Sequence, residues 1–257
     1  MDEDVTSVEA DEDQEQAADI LSRYDLLTLP VVDKQKKLLG IITADDVIDV
    51  LKEEAIEDIY QSSGINTGSE NQDVLNYNVQ SAFTARLPWL LITLLIESGS
   101  ASVINHFDSV IQQMVQAASF MPLLSGVTGS VATQSTCIQI QGAGKSQVSL
   151  RAAFRNIFHE PKVGMLLGLF CGLATYGISR FLHQSSYQLG VVVGMSLFVT
   201  MSVGVVIGTL MPIIFRKVGV EPAHASGPFI TSILDVCTMS IYLTIVHFFL
   251  VATKLPF

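Results

Sequence analysis

The stretch EPAHASGPFITSILDVCTMSIYLTIVHFF, residues 221–249, decides the fold class, because the long apolar run that follows Pro228 has one acid, Asp235, inside it. A helix needs about 20 mostly apolar residues to cross a bilayer. A charge at bilayer depth costs at least about 2.5–3.5 kcal/mol, so such a residue usually faces a bundle interior and marks an ion or substrate route. The stretch therefore predicts a membrane-spanning helix that carries a functional carboxylate, although packing against a buried polar neighbour is the alternative.

Charge divides the 257-residue chain into two unlike parts near residue 80. Residues 1–80 hold 20 of the 25 acidic residues and 5 of the 14 basic ones, whereas residues 81–257 hold 5 acidic and 9 basic residues. Such acidity argues against nucleic acid as a partner, because phosphate binding needs clustered Lys and Arg, and it favours cations. The three cysteines stand apart in apolar segments, which predicts neither a disulfide framework nor a zinc site.

The apolar part of the chain predicts five membrane-spanning helices. They are Leu87–Ile104, Met114–Ile140, Val163–Phe181, Leu189–Phe215 and Phe229–Thr253. The N-terminus has neither the basic nor the apolar region of a secretory signal peptide, so we expect the first part in the cytoplasm. Alternating loops then place seven basic residues inside and two outside, in agreement with the positive-inside rule: Arg86, Lys145, Arg151, Arg155, Lys162, Arg216 and Lys217 against Arg180 and Lys254. We therefore expect a multi-pass cell-membrane protein with its N-terminus in the cytoplasm and its C-terminus outside.

Polar residues recur at helical spacing in two of these spans. In the fifth span, Thr231, Ser232, Asp235, Thr238 and Tyr242 share one predicted face; in the second span, Gly126, Gly129, Ser130, Thr133 and Gln134 do. Two polar faces and one acid are too few ligands to strip a metal ion bare. Hydrated Mg²⁺, however, keeps several waters and needs only one or two carboxylates. Glu97 has no comparable stripe, so we expect structural pairing or a vestibule position for it rather than ligation.

Small residues in two spans predict close helix contacts. The stretches GSASVI, residues 99–104, and GMSLFVTMSVGVVIG, residues 194–208, let backbones approach closely. Such spacing serves packing within one chain or contact with a second copy. Because five helices are few to enclose a pore, we also expect a homodimer.

The stretch YDLLTLPVVDKQKKLLGIITADDVIDVL, residues 24–51, predicts two short strands followed by a helix. The strands are Thr28–Asp33 and Leu38–Ile42, and the helix begins at Ala44. The stretch resembles the second half of a CBS module. By that resemblance, Thr43 and Asp46 are candidate residues for binding an adenine nucleotide.

The order of motifs resembles the MgtE family of magnesium channels over nearly the whole chain. The CBS-like end is followed by DVLKEEAIEDIYQSSGI (49–65), ARLPWLL (85–91), FMPLLSGVTGSVATQS (120–135) and EPAHASGPFITSILDV (221–236). The resemblance implies an α-helical membrane protein in which five transmembrane helices follow a small α/β CBS module and a connecting plug helix. Residues 1–43 would be the CBS module, the second of the usual pair with the first absent. Residues 44–80 would be the acidic plug helix, from Ala44 to about Ile59, with a linker, and residues 81–257 the transmembrane domain.

The resemblance also implies a function without enzymatic activity. The family works as a homodimer in the lipid bilayer and carries hydrated Mg²⁺ through a pore on the dimer axis, and bound cytosolic Mg²⁺ closes that pore. The stripes and the resemblance together give the expected pore residues, which are Asp235, Thr231, Ser232, Ser130 and Gly129. The expected cytosolic Mg²⁺ sensor residues are Asp45, Asp46, Asp49, Glu53, Glu54, Glu57 and Asp58.

Two alternatives and one departure from the family pattern stand beside this interpretation. A proton-coupled transporter would use Asp235 as a proton carrier, but no inverted repeat is obvious. A membrane hydrolase needs paired acids, for which Glu97 offers no recognisable motif. The family's GNxGxQ pattern is GSVATQ here, with Ser130 in place of asparagine and Ala132 in place of glycine, so we expect looser ion selectivity.

Overall fold

The computed structural model describes residues 5–65, 78–144, 150–182, 187–220 and 227–253. Lys145, Lys254 and the stretch 221–226, to which the sequence analysis gave roles, lie outside these residues. The chain divides into two compact units, Met1–Tyr60 and Gln61–Phe257. Each unit is described by itself.

The first unit is built on a three-stranded sheet. Its strands are β1 (Val8–Glu9), β2 (Thr28–Val32) and β3 (Leu38–Thr43), and helix α1 (Gln14–Arg23) connects β1 to β2. Strand β1 pairs with β2 in parallel and β2 pairs with β3 antiparallel. A small core forms between α1, the sheet and the helix that follows β3, from Val8, Ala17, Ala18, Leu21, Leu29 and Val47. The two strands predicted from sequence match β2 and β3 to within one residue, whereas β1 and α1 were not predicted.

Helix α2 (Ala44–Ser62) follows β3 directly. The hydroxyl of Thr43 donates to Oδ2 of Asp46 over 2.6 Å, and the Thr43 backbone N–H donates to the same oxygen over 3.3 Å. This pairing resembles a capping box, which satisfies polar groups at a helix start. The helix begins at Ala44, as predicted, and continues three residues beyond the expected end at Ile59.

The second unit is helical in its described residues. Its helices are α3 (Val79–His106), α4 (Asp108–Gln113), α5 (Val115–Ala118), α6 (Met121–Gly144), α7 (Leu150–Leu182), α8 (Tyr187–Val218) and α9 (Gly227–Thr253). Four described segments are long and apolar enough to cross a membrane: α3, Phe158–Phe181 within α7, α8 and α9. Helix α6, with 24 residues, is long enough but carries many Gly, Ser, Thr and Gln residues. Four of the five predicted spans thus meet the apolarity expected of a spanning helix.

Several predicted boundaries need correction. The predicted span Met114–Ile140 is interrupted, because α5 ends at Ala118 and α6 begins at Met121. Pro122 then lies in the first turn of α6, where its missing N–H costs nothing. Asp108, which lies between the first two predicted spans, begins the short helix α4.

Glycines bring α8 against its neighbours within one chain. A Cβ at Gly208 would lie 2.3 Å from the carbonyl oxygen of Ala132 on α6, and a Cβ at Gly172 on α7 would lie 2.6 Å from that of Gly194. Real Cβ atoms are not found so close to other atoms, so these helices pack backbone against backbone. The small residues of the 194–208 stretch therefore serve packing inside the chain.

Candidate functional site

A polar cleft of about 430 Å³ lies between α6 and α9. Its walls are Ser125, Gly126, Gly129, Ser130 and Thr133 from α6, and Thr231 and Asp235 from α9. The α6 residues recur at three- and four-residue steps, which places them on one helix face. Gly129 allows close approach of the two helices, because a Cβ there would lie 3.0 Å from Cγ2 of Thr231.

Three hydroxyl groups of the cleft wall donate their hydrogens to their own helices. Ser130 donates to the carbonyl of Gly126 over 2.8 Å, Thr133 to that of Gly129 over 2.9 Å, and Thr231 to that of Pro228 over 3.0 Å. A hydroxyl has one hydrogen and two acceptor lone pairs. These side chains therefore offer acceptors, not donors, to whatever occupies the cleft.

Asp235 is held by partners on two other helices. The hydroxyl of Ser125 on α6 donates to its Oδ1 atom. On another side, the carboxyl group of Glu97 on α3 lies beside Asp235 and Ser232. The ion pairs found among the described residues all lie in the first unit, so neither acid is paired with a base there. Two half-buried carboxyl groups meet at this point.

The structure brings four of the five predicted pore residues to the cleft and separates the fifth. Asp235, Thr231, Ser130 and Gly129 line it together. Ser232 is buried and donates to the carbonyl of Pro228 over 2.9 Å, beside Glu97 and away from the cleft wall.

The rest of the predicted α9 stripe also departs from the cleft. Thr238 and Tyr242 are buried, and the Tyr242 hydroxyl donates to the carbonyl of Ala117 over 2.8 Å. Tyr242 is therefore a packing residue of the helix bundle. The prediction that all five stripe residues share one polar face holds for Thr231 and Asp235 only.

Two partners of Asp235, Ser125 and Glu97, were not predicted from the sequence. Ser125 precedes Gly129 and Thr133 at four-residue steps, so its spacing already placed it on the cleft face of α6. Glu97 was expected to form a structural pair or to lie in a vestibule, and its position beside Asp235 was not predicted. The sequence feature that could have indicated Glu97 is its acidic side chain inside an otherwise apolar span.

The seven predicted sensor acids lie on α2, and six of them are exposed. Asp49 forms an ion pair with Lys52 of the same helix over 2.9 Å, and Glu54 accepts from Gln14 Nε2 over 2.8 Å. The Thr43 side chain beside the Asp45 carboxyl group holds the pKa of Asp45 below its usual value. Within the described ranges, no three His, Cys, Asp or Glu side chains are close enough to hold a metal ion. Thr43 and Asp46, the nucleotide candidates, bond to each other at the helix start.

Comparison with known proteins finds one matching family model in each of the two units. A family model for MgtE, described as a divalent cation transporter, matches residues 121–245, and a CBS domain model matches residues 1–53. The CBS match thus continues into α2, and the MgtE match contains every residue that lines the cleft.

Curated relatives match almost all of the chain. The magnesium transporter MgtE of Bacillus subtilis is 39% identical over 246 residues, which cover 96% of this chain and 53% of the relative. The proteins of that name from Enterococcus faecalis and Thermus thermophilus are each 33% identical. Those matches cover 97% and 98% of this chain and 54% and 55% of the relatives.

The chain spans about half the length of these relatives. Its similarity to them runs through both units, and the cleft and Asp235 fall inside the matched transporter domain. By these matches the chain contains an MgtE divalent cation transporter domain at residues 121–245 and a CBS domain at residues 1–53.

Proposed function

We propose that this chain transports Mg²⁺ across a membrane as a hydrated ion that passes along the cleft between α6 and α9. The observation that carries the proposal is a wall of hydroxyl acceptors around one carboxylate, Asp235. A hydrated cation presents the hydrogens of its waters outward, so acceptor groups suit it. The curated relatives are named as magnesium transporters, which supports the same ion.

The small number of charged ligands favours a hydrated ion over a bare one. Mg²⁺ gives up its waters reluctantly and is commonly held through one or two carboxylates with several waters kept. Asp235 and the hydroxyl oxygens of Ser130, Thr133 and Thr231 can contact those waters from one side. The ion is thereby recognised by its charge and by the size of its water shell.

A homodimer completes the route. In one chain the cleft is an open groove with walls from α6 and α9. A second copy facing it would close the groove into a pore and place two Asp235 side chains across the axis. In this arrangement the hydrated Mg²⁺ ion lies between the Asp235 carboxylates of the two chains.

The acidic helix α2 supplies regulation in this proposal. Its carboxylates lie on the cytoplasmic side and repel one another when no cation is bound. Mg²⁺ would neutralise them, draw the plug helices of two chains together and favour the closed state, because a ligand shifts a protein toward the state that binds it better. The pair Thr43 and Asp46 at the start of α2 is the proposed contact for an adenine nucleotide.

One observation favours a second candidate function, which is proton-coupled transport. Glu97 and Asp235 lie side by side, and two adjacent carboxyl groups can share a proton. A proton carried by this pair would couple cation uptake to a pH gradient. The two functions therefore differ in whether an imposed pH gradient drives Mg²⁺ flux.

The test is Mg²⁺ flux into liposomes that contain the purified chain and a fluorescent Mg²⁺ indicator, with and without a pH gradient. We expect flux that is independent of the gradient in the unmodified chain. Asp235→Ala should abolish flux while the dimer stays intact by size-exclusion chromatography. Asp108→Asn, which neutralises an exposed acid of α4, is the matched control and should leave flux unchanged. Unaltered flux in Asp235→Ala would contradict the proposal, and flux that follows the pH gradient would favour the proton-coupled candidate.

A further inference from the structure

The side of Asp235 that faces α3 differs from the side that faces the cleft. Helices α3 and α9 pack closely here, because a Cβ at Gly99 would lie 3.2 Å from Cγ2 of Val236. Two residues before Gly99, Glu97 reaches Asp235 and Ser232. Ser125 already donates to Oδ1 of Asp235 from the other side, which leaves Oδ2 for another partner.

The charges at this contact are not balanced within the described parts of the chain. Glu97 and Asp235 bring two acids together between apolar helices, and the ion pairs of the structure lie elsewhere. A buried charge is costly unless it is paired or bound to a metal. A positive ligand between the two carboxylates would supply the missing balance.

A second and independent observation comes from buried hydroxyl groups. Ser100, on α3, is 8% exposed, and its Oγ atom lies beside the Glu97 carboxyl group without a hydrogen bond of normal geometry to any described group. Thr238, one turn beyond Asp235 on α9, is 1% exposed and lacks a partner in the same way. Most buried side-chain hydroxyls in proteins have a hydrogen-bond partner. An unpartnered hydroxyl beside two unbalanced acids indicates that a ligand belongs there.

We infer that Glu97, Asp235, Ser232 and Ser100 form a second divalent-cation site, one in each chain, between α3 and α9. The Ser232 hydroxyl gives its hydrogen to Pro228, so its oxygen is free to act as a ligand. Carboxylate and hydroxyl oxygens suit hard divalent cations, and two acids balance a charge of +2. The cleft takes hydrated ions, whereas this site binds its ion directly. The site shares Asp235 with the proposed transport route and in that respect rests on the proposed function.

The test counts bound Mn²⁺ by electron paramagnetic resonance on the purified full chain in detergent at fixed pH. Glu97→Gln keeps the shape of the side chain and removes its charge, and we expect it to lose one bound Mn²⁺ per chain. Glu160→Gln is the matched control, since Glu160 is a half-buried acid of α7 that accepts from Ser135. It should keep the full count. An unchanged count in Glu97→Gln would overturn the site and would favour a proton shared by the two acids.

A milder pair of variants tests the same site if Glu97→Gln fails to fold. Ser100→Ala should weaken Mn²⁺ binding at this site about tenfold, which corresponds to about 1.4 kcal/mol. Ser102→Ala is its control, because the Ser102 hydroxyl donates to the carbonyl of Ser98. Equal affinity in the two serine variants would overturn the assignment.

The two proposals fail in different ways. An intact Mn²⁺ count together with absent Mg²⁺ flux in the unmodified chain would overturn the transport function alone. An unchanged count in Glu97→Gln would overturn the second site alone, whatever the flux.

Discussion

Helix α9 carries one acidic residue, Asp235, whereas helix α2 carries the seven acids predicted to sense Mg²⁺. The single acid of α9 nevertheless has more contacts with other helices. Asp235 accepts a hydrogen bond from Ser125 of α6 and lies beside Glu97 of α3. It also lines the cleft together with the hydroxyl groups described above. The acids of α2 are mostly exposed, and Asp49 pairs with a lysine of its own helix. Exposed ion pairs contribute about 0–1 kcal/mol. A candidate cation site is therefore indicated by the groups that surround a carboxylate and not by the number of carboxylates.

This difference separates two modes of binding. The surroundings of Asp235 are assembled within one chain, so in the proposed function the fold sets its affinity for cations. The acids of α2 would need a second surface to enclose an ion, so we expect them to respond to millimolar changes in free Mg²⁺. The predictions that follow test this contrast, beginning with the largest effect.

The largest expected effect comes from removing charge from α2, which tests whether its acids mediate inhibition by Mg²⁺. We expect joint neutralisation of Glu53, Glu54, Glu57 and Asp58 to Gln or Asn to preserve flux and to raise the Mg²⁺ concentration that half-inhibits it. Two unit charges 4 Å apart in water interact by about 1 kcal/mol, so losing four charges should shift this concentration at least about tenfold. The measurement is initial liposome flux as a function of Mg²⁺ on the side that bears α2.

A matched control neutralises acids of the same unit that lie outside α2: Asp11, Glu12, Asp19 and Asp25. It changes the net charge by the same amount and should leave the inhibitory concentration where it was. If both sets shift inhibition equally, then overall charge and not α2 carries the regulation. If neither does, the acids of α2 are a solvated helix face.

The second prediction concerns the hydrogen bond between Ser125 and Asp235. Ser125→Ala removes the hydrogen bond to Asp235, and a hydrogen bond to a charged group is worth about 1.5–3 kcal/mol. Because water in the open cleft can replace part of that bond, we expect about a fivefold loss of Mg²⁺ flux. Ser125→Thr retains the hydroxyl and should restore most of the flux. Equal flux in all three proteins would show that Asp235 needs no support from α6.

The fold was predictable from sequence wherever the pattern is local. Strands β2 and β3 follow from two short apolar runs, and α2 begins at the predicted residue, Ala44. Hydropathy predicted five spans, four of which are apolar enough in the structure to cross a membrane. It did not detect the polar first half of α7, because that stretch is helical without being apolar. The interruption before Met121 was also missed, since hydropathy continues across it.

The candidate site was predictable only within each helix. Helical spacing located the cleft residues on α6 and the position of Asp235 on α9. The meeting of Glu97 with Asp235, however, joins residues far apart in sequence, and no local pattern encodes the packing of α3 against α9. The same reason explains Ser232, which belongs to the predicted stripe by spacing but faces Glu97 instead of the cleft.

The smallest expected effect concerns Ser130, where the family pattern has asparagine. The Ser130 hydroxyl donates to Gly126, so it offers only an acceptor to the cleft. In the proposed route a water of the hydrated ion, and not the metal, contacts this group, and an asparagine amide would reach further and hold that water more firmly. We expect Ser130→Asn to raise the permeability of Mg²⁺ relative to Ca²⁺ and Mn²⁺ about two- to threefold, since one hydrogen bond contributes about 0.5–1.5 kcal/mol.

The measurement is relative permeability from reversal potentials across a planar bilayer, with Ser130→Ala as the companion variant. Removing the hydroxyl should lower Mg²⁺ preference, because the water then loses an acceptor, while the Asp235 requirement stays in both variants. Ser130 lies one turn from Gly126 and Thr133 on the cleft face, so its effect should appear in selectivity more than in flux. Identical ion preference in all three proteins would mean that the hydrated ion passes this wall without contacting it, and that Asp235 alone selects by charge.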